Sequence, residues 1–208
     1  MALARNLVGL AAAAFAFIGF AGAVSAQSVD FTNAAFTPVS QQATSVPVGA
    51  AEFCQRFPGD CRPNATVVPA APLTDASWNQ LLQVNAYFNA NIVPVTDEQL
   101  YGVNEFWTYP NGYGDCEDIA LAKRRQLIEN GWSPSDLLIA VVRQRNGEGH
   151  AVLMVRTDRG DLVLDNQDGT IRVWTDSPYH FLKRQSQQDP SRWVDIYDQR
   201  PTVVAAAY

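Results

Sequence analysis

The sequence of 208 residues has only two histidines, three cysteines and 17% charged residues, and this scarcity excludes several classes of protein. Lys and Arg number 15 against 21 Asp and Glu, so the formal net charge is −6 and no basic stripe is available for nucleic-acid phosphates. Two histidines and one close cysteine pair of unsuitable spacing are too few for a zinc knuckle. A hydrophobic content of 47% is too high for a disordered chain and is typical of one globular domain.

Residues 1–26 are expected to be a signal peptide that is not part of the fold. The single cation Arg5 precedes an apolar run from Leu7 to Phe20, and the segment ends in the small residues Val24-Ser25-Ala26. The run is shorter than the roughly 20 residues of a membrane-spanning helix, which favours cleavage before Gln27 over a retained anchor. The sequence therefore predicts an acidic protein that is periplasmic or secreted.

Export gives the cysteines an oxidising environment. Cys54 and Cys61 flank the turn-forming pair Pro58-Gly59, and we expect them to form a small disulfide loop. The surrounding segment, 27–72, is rich in Ala, Thr, Ser, Val and Pro and shows little periodicity. It is predicted to be an extended arm that lies across the surface of the domain.

The remaining residues, 73–208, are predicted to form one α+β domain. Apolar residues at helical spacing favour a helix over 74–89, and a capping-box pattern over 96–99 indicates a second, short one. The stretch 115–131 is typical of a helix, with acids in its first turn and a left-handed stop at Asn130-Gly131. Apolar runs separated by short turns then predict strands over 137–143, 150–157, 162–165 and 171–174. Consecutive strands of this kind predict an antiparallel sheet packed against the 115–131 helix.

Cys116 is the odd thiol, and it lies at the N-terminal end of the predicted 115–131 helix. A helix N-terminus lowers a thiol pKa, and its free N–H groups can hold an oxyanion. His150 is the expected base and Asp165 its orienting acceptor, which completes a Cys-His-Asp triad. Core packing of the thiol, turn chemistry for Asp165 and His180 as the base are the alternatives.

The register of the predicted strands bears on this triad. A two-residue loop at Arg159-Gly160 would leave His150 and Asp165 on one face of the sheet but four residues out of register. We therefore expect their contact to need a different turn or a bulge.

The chain resembles the bacterial transglutaminase-like cysteine proteinases over roughly Trp78 to Tyr197. The resemblance rests on separated motifs in one order: Gly114-Asp115-Cys116-Glu117-Asp118, Lys123-Arg124, Gly131-Trp132, Gly147-Glu148-Gly149-His150-Ala151-Val152 and Leu162-Val163-Leu164-Asp165-Asn166. It implies a papain-like fold of the transglutaminase type. It also implies Cys116 as nucleophile, His150 as base and Asp165 as orienter.

The resemblance to the LapG-type periplasmic proteases of this family implies calcium dependence. The implied calcium ligands are Asp115 and Glu117, on either side of Cys116. A hard dication would offset carboxylates that otherwise raise the pKa of the thiol, whereas the alternative is that these acids only cap the helix. The resemblance also implies a protein substrate, a large surface adhesin, and an inner-membrane receptor as regulator.

The triad is compatible with more than one activity. An endopeptidase would resolve the thioester with water, whereas a transglutaminase would use an amine, and an amidase would use the same triad. A calcium-responsive binding protein with little turnover is the alternative from another class. The complete triad argues against it.

Overall fold

The computed structural model describes residues 27–201, so the expected signal peptide lies outside the described part of the chain. The helices within this range are α1 (Val48–Arg56), α2 (Asp75–Asn91), α3 (Asp97–Tyr101) and α4 (Cys116–Glu129). The strands are β1 (Val39–Thr44), β2 (Val93–Pro94), β3 (Tyr113–Gly114), β4 (Leu137–Arg143), β5 (Gly149–Thr157), β6 (Gly160–Leu164), β7 (Arg172–Val173), β8 (His180–Gln185) and β9 (Trp193–Ile196). None of the described helices combines the length and the apolar character that crossing a bilayer requires.

Seven of these strands form one antiparallel sheet in the order β1-β9-β8-β4-β5-β6-β7, and β2 pairs with β3 in a separate parallel ladder. Helix α4 packs against β5 and β4, and α2 packs against α4. The main core lies between α4 and the sheet, where Leu121 and Leu127 meet Leu153 and Val155. This arrangement is the predicted α+β fold.

Helix α4 begins and ends close to the predicted bounds. Asp115 is its N-cap residue and Asn130 its C-cap, and Gly131 adopts the left-handed conformation that the sequence predicted, with φ of 96°. The helix is buried around most of its circumference, including the charged residues Lys123 and Arg124. A helix in this position holds its first residue, Cys116, in a fixed place at one end of the sheet.

The capped helices also form, and α2 ends two residues later than predicted. Thr74 and Thr96 each accept a hydrogen bond from the backbone N–H three residues on, in the reciprocal arrangement of a capping box. Helix α3 ends at Gly102, which has a φ of 71°. This short helix brings its first residue, Asp97, to the N-terminal end of α4, as the cleft described below shows.

The segment 27–72 contributes more than an extended arm. Its strand β1 pairs with β9 at the edge of the large sheet, and α1 inserts Ala50 and Phe53 into the main core. Strand β1 lies at the solvent-exposed edge of the sheet and is mostly polar, so it shows no alternation of apolar and polar residues that would predict a strand. The Cys54–Cys61 disulfide is present, with an S–S distance of 2.05 Å.

The β5–β6 hairpin turns one residue earlier than the Arg159-Gly160 loop of the sequence analysis. Thr157 pairs with Gly160, and the same register pairs Leu153 with Leu164. Extending this register places Asp165 two residues away from the position opposite His150, on the same face. The contact is thus made through a different turn, one of the two expected solutions, and no bulge is needed, because diagonal cross-strand neighbours two residues apart are within reach.

Candidate active site

Cys116 and His150 line one cleft, of about 470 Å³, at the end of the sheet where α4 begins. The thiol is located by its contact with the neighbouring strand, since the Ala151 N–H donates to Cys116 Sγ over 3.4 Å. Ala151 directly follows His150 in β5. The structure therefore brings the predicted nucleophile and the predicted base to the same place.

His150 and Asp165 form a buried pair. His150 Nε2 lies 2.8 Å from Asp165 Oδ1, and each residue is only 3% exposed. Because Nε2 is engaged with the carboxylate, Nδ1 is the ring nitrogen that remains for a proton transfer. The side-chain amide nitrogen of Gln167 lies 3.4 Å from this Nδ1.

A tyrosine completes the surroundings of the carboxylate. The Tyr179 hydroxyl donates to Asp165 Oδ2, and its ring packs edge-on against His150 with centroids 5.3 Å apart. Gln167 donates its backbone N–H to Asp165 Oδ1 over 3.0 Å. Burial by itself raises the pKa of Asp165, but the hydrogen bonds and charge of His150, with those of Tyr179 and Gln167, bring this pKa below its usual value. Asp165 is thus an ionised acceptor.

The alternative base, His180, does not share the cleft with Cys116. Its Nδ1 lies 3.5 Å from Asp198 Oδ2, in a neighbouring groove that Tyr179 also lines. At this place the sequence suggested only His180, as an alternative base, and not Tyr179. The neighbouring tyrosine proves to be the residue that contacts the triad, and an aromatic residue in a turn gives no local signal of such a contact.

Three carboxylates meet beside the thiol. One oxygen each of Asp97, Asp115 and Glu117 lies within 4.8 Å of the others. Asp115 and Glu117 are the two calcium ligands that the family resemblance implied, whereas Asp97, which reaches the cluster from α3, was not predicted. Its capping-box position was visible in the sequence, but its distance along the chain from Cys116 hid its place in the cleft.

Some oxygens of this carboxylate cluster lack hydrogen-bond partners. Asp97 Oδ1 and Asp115 Oδ1 are buried without a hydrogen-bond partner, and the Asp115 side chain makes no capping hydrogen bond to α4. Burial raises the pKa of Glu117 to about 9, with the charge of Asp115 acting in the same direction. Burial and the charge of Asp97 likewise raise the pKa of Asp115 to about 6. Helix capping does not explain these acids, whereas a hard dication with oxygen ligands fits them.

The thiol is affected by the same acids. Burial is the largest cause that raises the pKa of Cys116 well above its usual value, and the charge of Glu117 adds to it. The Cys116 S–H also donates to Glu117 Oε2 over 3.0 Å, which stabilises the protonated form. The expected lowering of the thiol pKa by the helix N-terminus is therefore outweighed, unless a cation or a base balances the carboxylates.

An antiparallel sheet, a helix that begins at a cysteine, and a buried His-Asp pair beside the same cleft are features of cysteine peptidases. Residues 40–201 match the family model of the bacterial transglutaminase-like cysteine proteinases, and the chain belongs to this family. The predicted family, fold class and peptidase class are confirmed. No curated protein sequence matches the chain.

Solved structures of LapG from Legionella pneumophila have a similar fold. The calcium-bound form matches with a TM-score of 0.50 and 23% identity, over 60% of this chain and 71% of that chain. An EGTA-treated form matches with a TM-score of 0.48 and 24% identity, over 60% and 69% of the two chains. The first of these matches supports the fold assignment independently of the family model.

Proposed function

We propose that this cysteine peptidase is an exported endopeptidase in which Cys116, His150 and Asp165 act as one catalytic unit. The observation that carries the proposal is the buried His150–Asp165 pair in the cleft that Cys116 lines. A packing role for Cys116 would not require a paired imidazole in the same cleft. A turn role for Asp165 would not require the hydrogen bonds of both His150 and Tyr179 to its carboxylate.

In the acylation step, the Cys116 proton passes to His150 Nδ1 as the sulfur attacks the carbonyl carbon of the scissile peptide. The oxygen of that carbonyl becomes an oxyanion, which N–H groups at the start of α4 are suited to stabilise. The C–N bond then breaks, and His150 returns its proton to the leaving amine nitrogen. The product is a thioester between the substrate's acyl group and Cys116.

In the deacylation step, a water molecule gives a proton to His150 and attacks the thioester carbon. The C–S bond breaks, the substrate leaves as a carboxylic acid and the sulfur recovers its proton from His150. In both steps Asp165 holds the imidazole through Nε2 and stabilises its protonated form. Tyr179 in turn holds Asp165, so the ring keeps one orientation.

Asp97, Asp115 and Glu117 would hold a calcium ion. Bound there, the ion would supply positive charge that balances the carboxylates beside the thiol. The partnerless buried oxygens of Asp97 and Asp115 support this proposal. The LapG structure that shares the fold was solved with calcium bound. Calcium chelation should therefore abolish turnover, and added calcium should restore it, whereas turnover indifferent to EGTA would remove the metal from the proposal.

The proposal extends to the compartment of the protein and to its biological substrate. The composition of residues 1–26 supports export, and so does the disulfide, since such bridges persist in oxidising compartments. A large surface adhesin as substrate and an inner-membrane receptor as regulator rest on the resemblance to LapG-type proteases alone. Comparing the surface proteins of cells carrying wild-type protein or Cys116→Ala tests this part: a high-molecular-weight protein should accumulate on the variant cells.

The activity itself is tested with purified protein on a fluorogenic casein substrate. Wild-type protein in calcium should release fluorescent peptides, and Cys116→Ala should not. A parallel assay supplies a dansylated amine to separate hydrolysis from transamidation. Incorporation of the amine into casein without new peptide termini would show a transglutaminase instead of an endopeptidase.

A further inference from the structure

A second groove, of about 680 Å³, adjoins the catalytic cleft. Gln144 lines both the groove and the cleft, so the two meet at this residue. Tyr179 also lines the groove, while its hydroxyl contacts Asp165 of the triad. The mechanism above assigns no role to this groove.

The groove carries unpaired positive charge. Arg143 and Arg145 line it, are exposed, and have no carboxylate or hydrogen-bond partner among residues 27–201. Arg143 is the last residue of β4 and lies opposite Gly149 in β5 on one side and His180 in β8 on the other. The same strand ends therefore present both the catalytic His150 and these arginines.

The one carboxylate that lines the groove is already neutralised. Asp198 accepts from Arg200 over 2.6 Å and from the Phe181 N–H over 3.0 Å, and its side chain is fully buried. Arg200 also donates to backbone carbonyls, including that of Tyr179, so it is a structural group. The free charge of the groove is therefore that of Arg143 and Arg145.

The catalytic cleft has the opposite sign. Beyond Cys116 it is lined by six carboxylates, namely Asp97, Glu98, Glu105, Asp115, Glu117 and, two residues before His150, Glu148. A peptide bound across the thiol would thus meet negative charge within the cleft and positive charge where it passes beyond His150 and Glu148 into the groove. Such a polarised surface selects both the composition and the direction of a charged ligand.

We propose that this groove binds Asp or Glu side chains of the substrate, in the segment C-terminal to the scissile bond. His150 must reach the leaving amine nitrogen, so the chain that follows this nitrogen passes on the His150 side of the cleft, towards Arg143 and Arg145. The position of the segment rests on the proposed function, whereas its acidic character rests on the charges of the groove alone. The substrate class is a protein with an acidic stretch just after the cut site.

The first test measures binding without catalysis. Fluorescein-labelled hexaglutamate is titrated into Cys116→Ala protein and followed by fluorescence anisotropy, with an uncharged peptide of the same length as reference. Adding Arg143→Glu and Arg145→Glu should weaken hexaglutamate binding at least roughly tenfold, and added salt should weaken it in the parent. The charge-matched control carries Arg62→Glu and Arg159→Glu, at two exposed positions outside the groove, and should retain most of the hexaglutamate binding. Equal losses in the two double variants would overturn the proposal.

The second test reads the direction of the substrate. A peptide mixture of known sequences is digested by otherwise wild-type protein, and the cut sites are located by mass spectrometry. Asp and Glu should be enriched after the cut bonds, and this enrichment should disappear when Arg143 and Arg145 are both changed to Glu. Enrichment only before the cut bonds would contradict the proposed direction. Hexaglutamate binding that depends on the two arginines, in a protein that cuts no peptide, would instead refute the endopeptidase proposal and leave the acidic ligand of the groove supported.

Discussion

Tyr179→Phe removes one hydroxyl from the surroundings of the triad and keeps the ring that packs against His150. This hydroxyl is the one donor to Asp165 Oδ2 among the described residues, whereas Oδ1 is held by His150 and Gln167. The Asp165 side chain is only 4% exposed, so water cannot easily replace the lost donor. The substitution therefore leaves one oxygen of a buried carboxylate without a partner.

The loss of stability can be estimated from the cost of leaving this buried oxygen without a hydrogen bond. Leaving a buried acceptor unpaired costs about 1–3 kcal/mol, and we expect the free energy of unfolding to fall by this amount. A less firmly held imidazole should lower kcat by roughly 10- to 100-fold. The pKa of Asp165 should also rise, because the hydrogen bond from Tyr179 lowers it in the wild type. A depressed carboxyl pKa protects activity and stability towards acid, so the acid limb of the pH-rate profile should move to higher pH in the variant.

The assay compares wild type, Tyr179→Phe and the control Tyr87→Phe, whose residue is 59% exposed. The kcat and its pH profile are measured with saturating peptide substrate, and stability is measured by urea unfolding. A purely structural role for Tyr179 would change the unfolding midpoint and leave the acid limb in place. A kcat within about twofold of wild type, with the same acid limb, would refute the reasoning.

Three further predictions concern other parts of the molecule. Asp97→Asn should weaken calcium binding roughly tenfold or more by calorimetry and reduce the calcium-induced rise in Tm; unchanged affinity would exclude Asp97 as a ligand. Burial lowers the pKa of Lys123 from its ordinary value of 10.5 to about 7 in the folded protein. Between these two pH values the unfolded chain binds the Lys123 proton and the folded protein does not, so the stability of wild type rises with pH. Lys123→Met should lack this rise, which amounts to at most about 5 kcal/mol in the free energy of unfolding measured with urea. Parallel curves of unfolding free energy against pH for the two proteins would contradict this. Gly49→Ala should cost about 1–3 kcal/mol, because its Cβ would lie 2.2 Å from the buried Trp107 ring, while Gly59→Ala, with open space around it, should be near neutral.

The parts of the fold that the sequence predicted are those with a local signal. Helix α4 shows apolar spacing, acids in its first turn and a glycine stop, and its bounds differ from the prediction by one or two residues. Strand β4 is a continuous apolar run and matches its predicted bounds. In both cases the residues that determine the element are its own neighbours in the chain.

Elements that depend on distant partners were missed. Strand β8 is a mixed segment with a buried Arg184, and it pairs with both β4 and β9. Helix α1 is only nine residues long, and Gly49 allows it to approach Trp107 closely. No window of the sequence contains both partners of such a contact, so propensity and periodicity cannot reveal it.

The residues of the candidate site likewise fall into those with a local sequence signal and those without one. Cys116, His150 and Asp165 each lie at a recognisable position, at a helix start or a strand end, and the structure brings the three together. Asp97 and Tyr179 belong to a short helix and a turn whose contacts with the cleft arise only from the tertiary fold. The sequence thus indicated the proposed reacting groups but not the residues that contact them.

The central claim is that the Cys116 sulfur carries the acyl group during turnover. Its most direct test is an intact-mass measurement of the protein quenched in acid during turnover of a peptide ester, followed by peptide mapping of the adduct. The account predicts a thioester on Cys116 that decays when substrate is exhausted and is absent in Cys116→Ala. Turnover of the ester by Cys116→Ala, or an adduct mapped to another residue, would contradict the account.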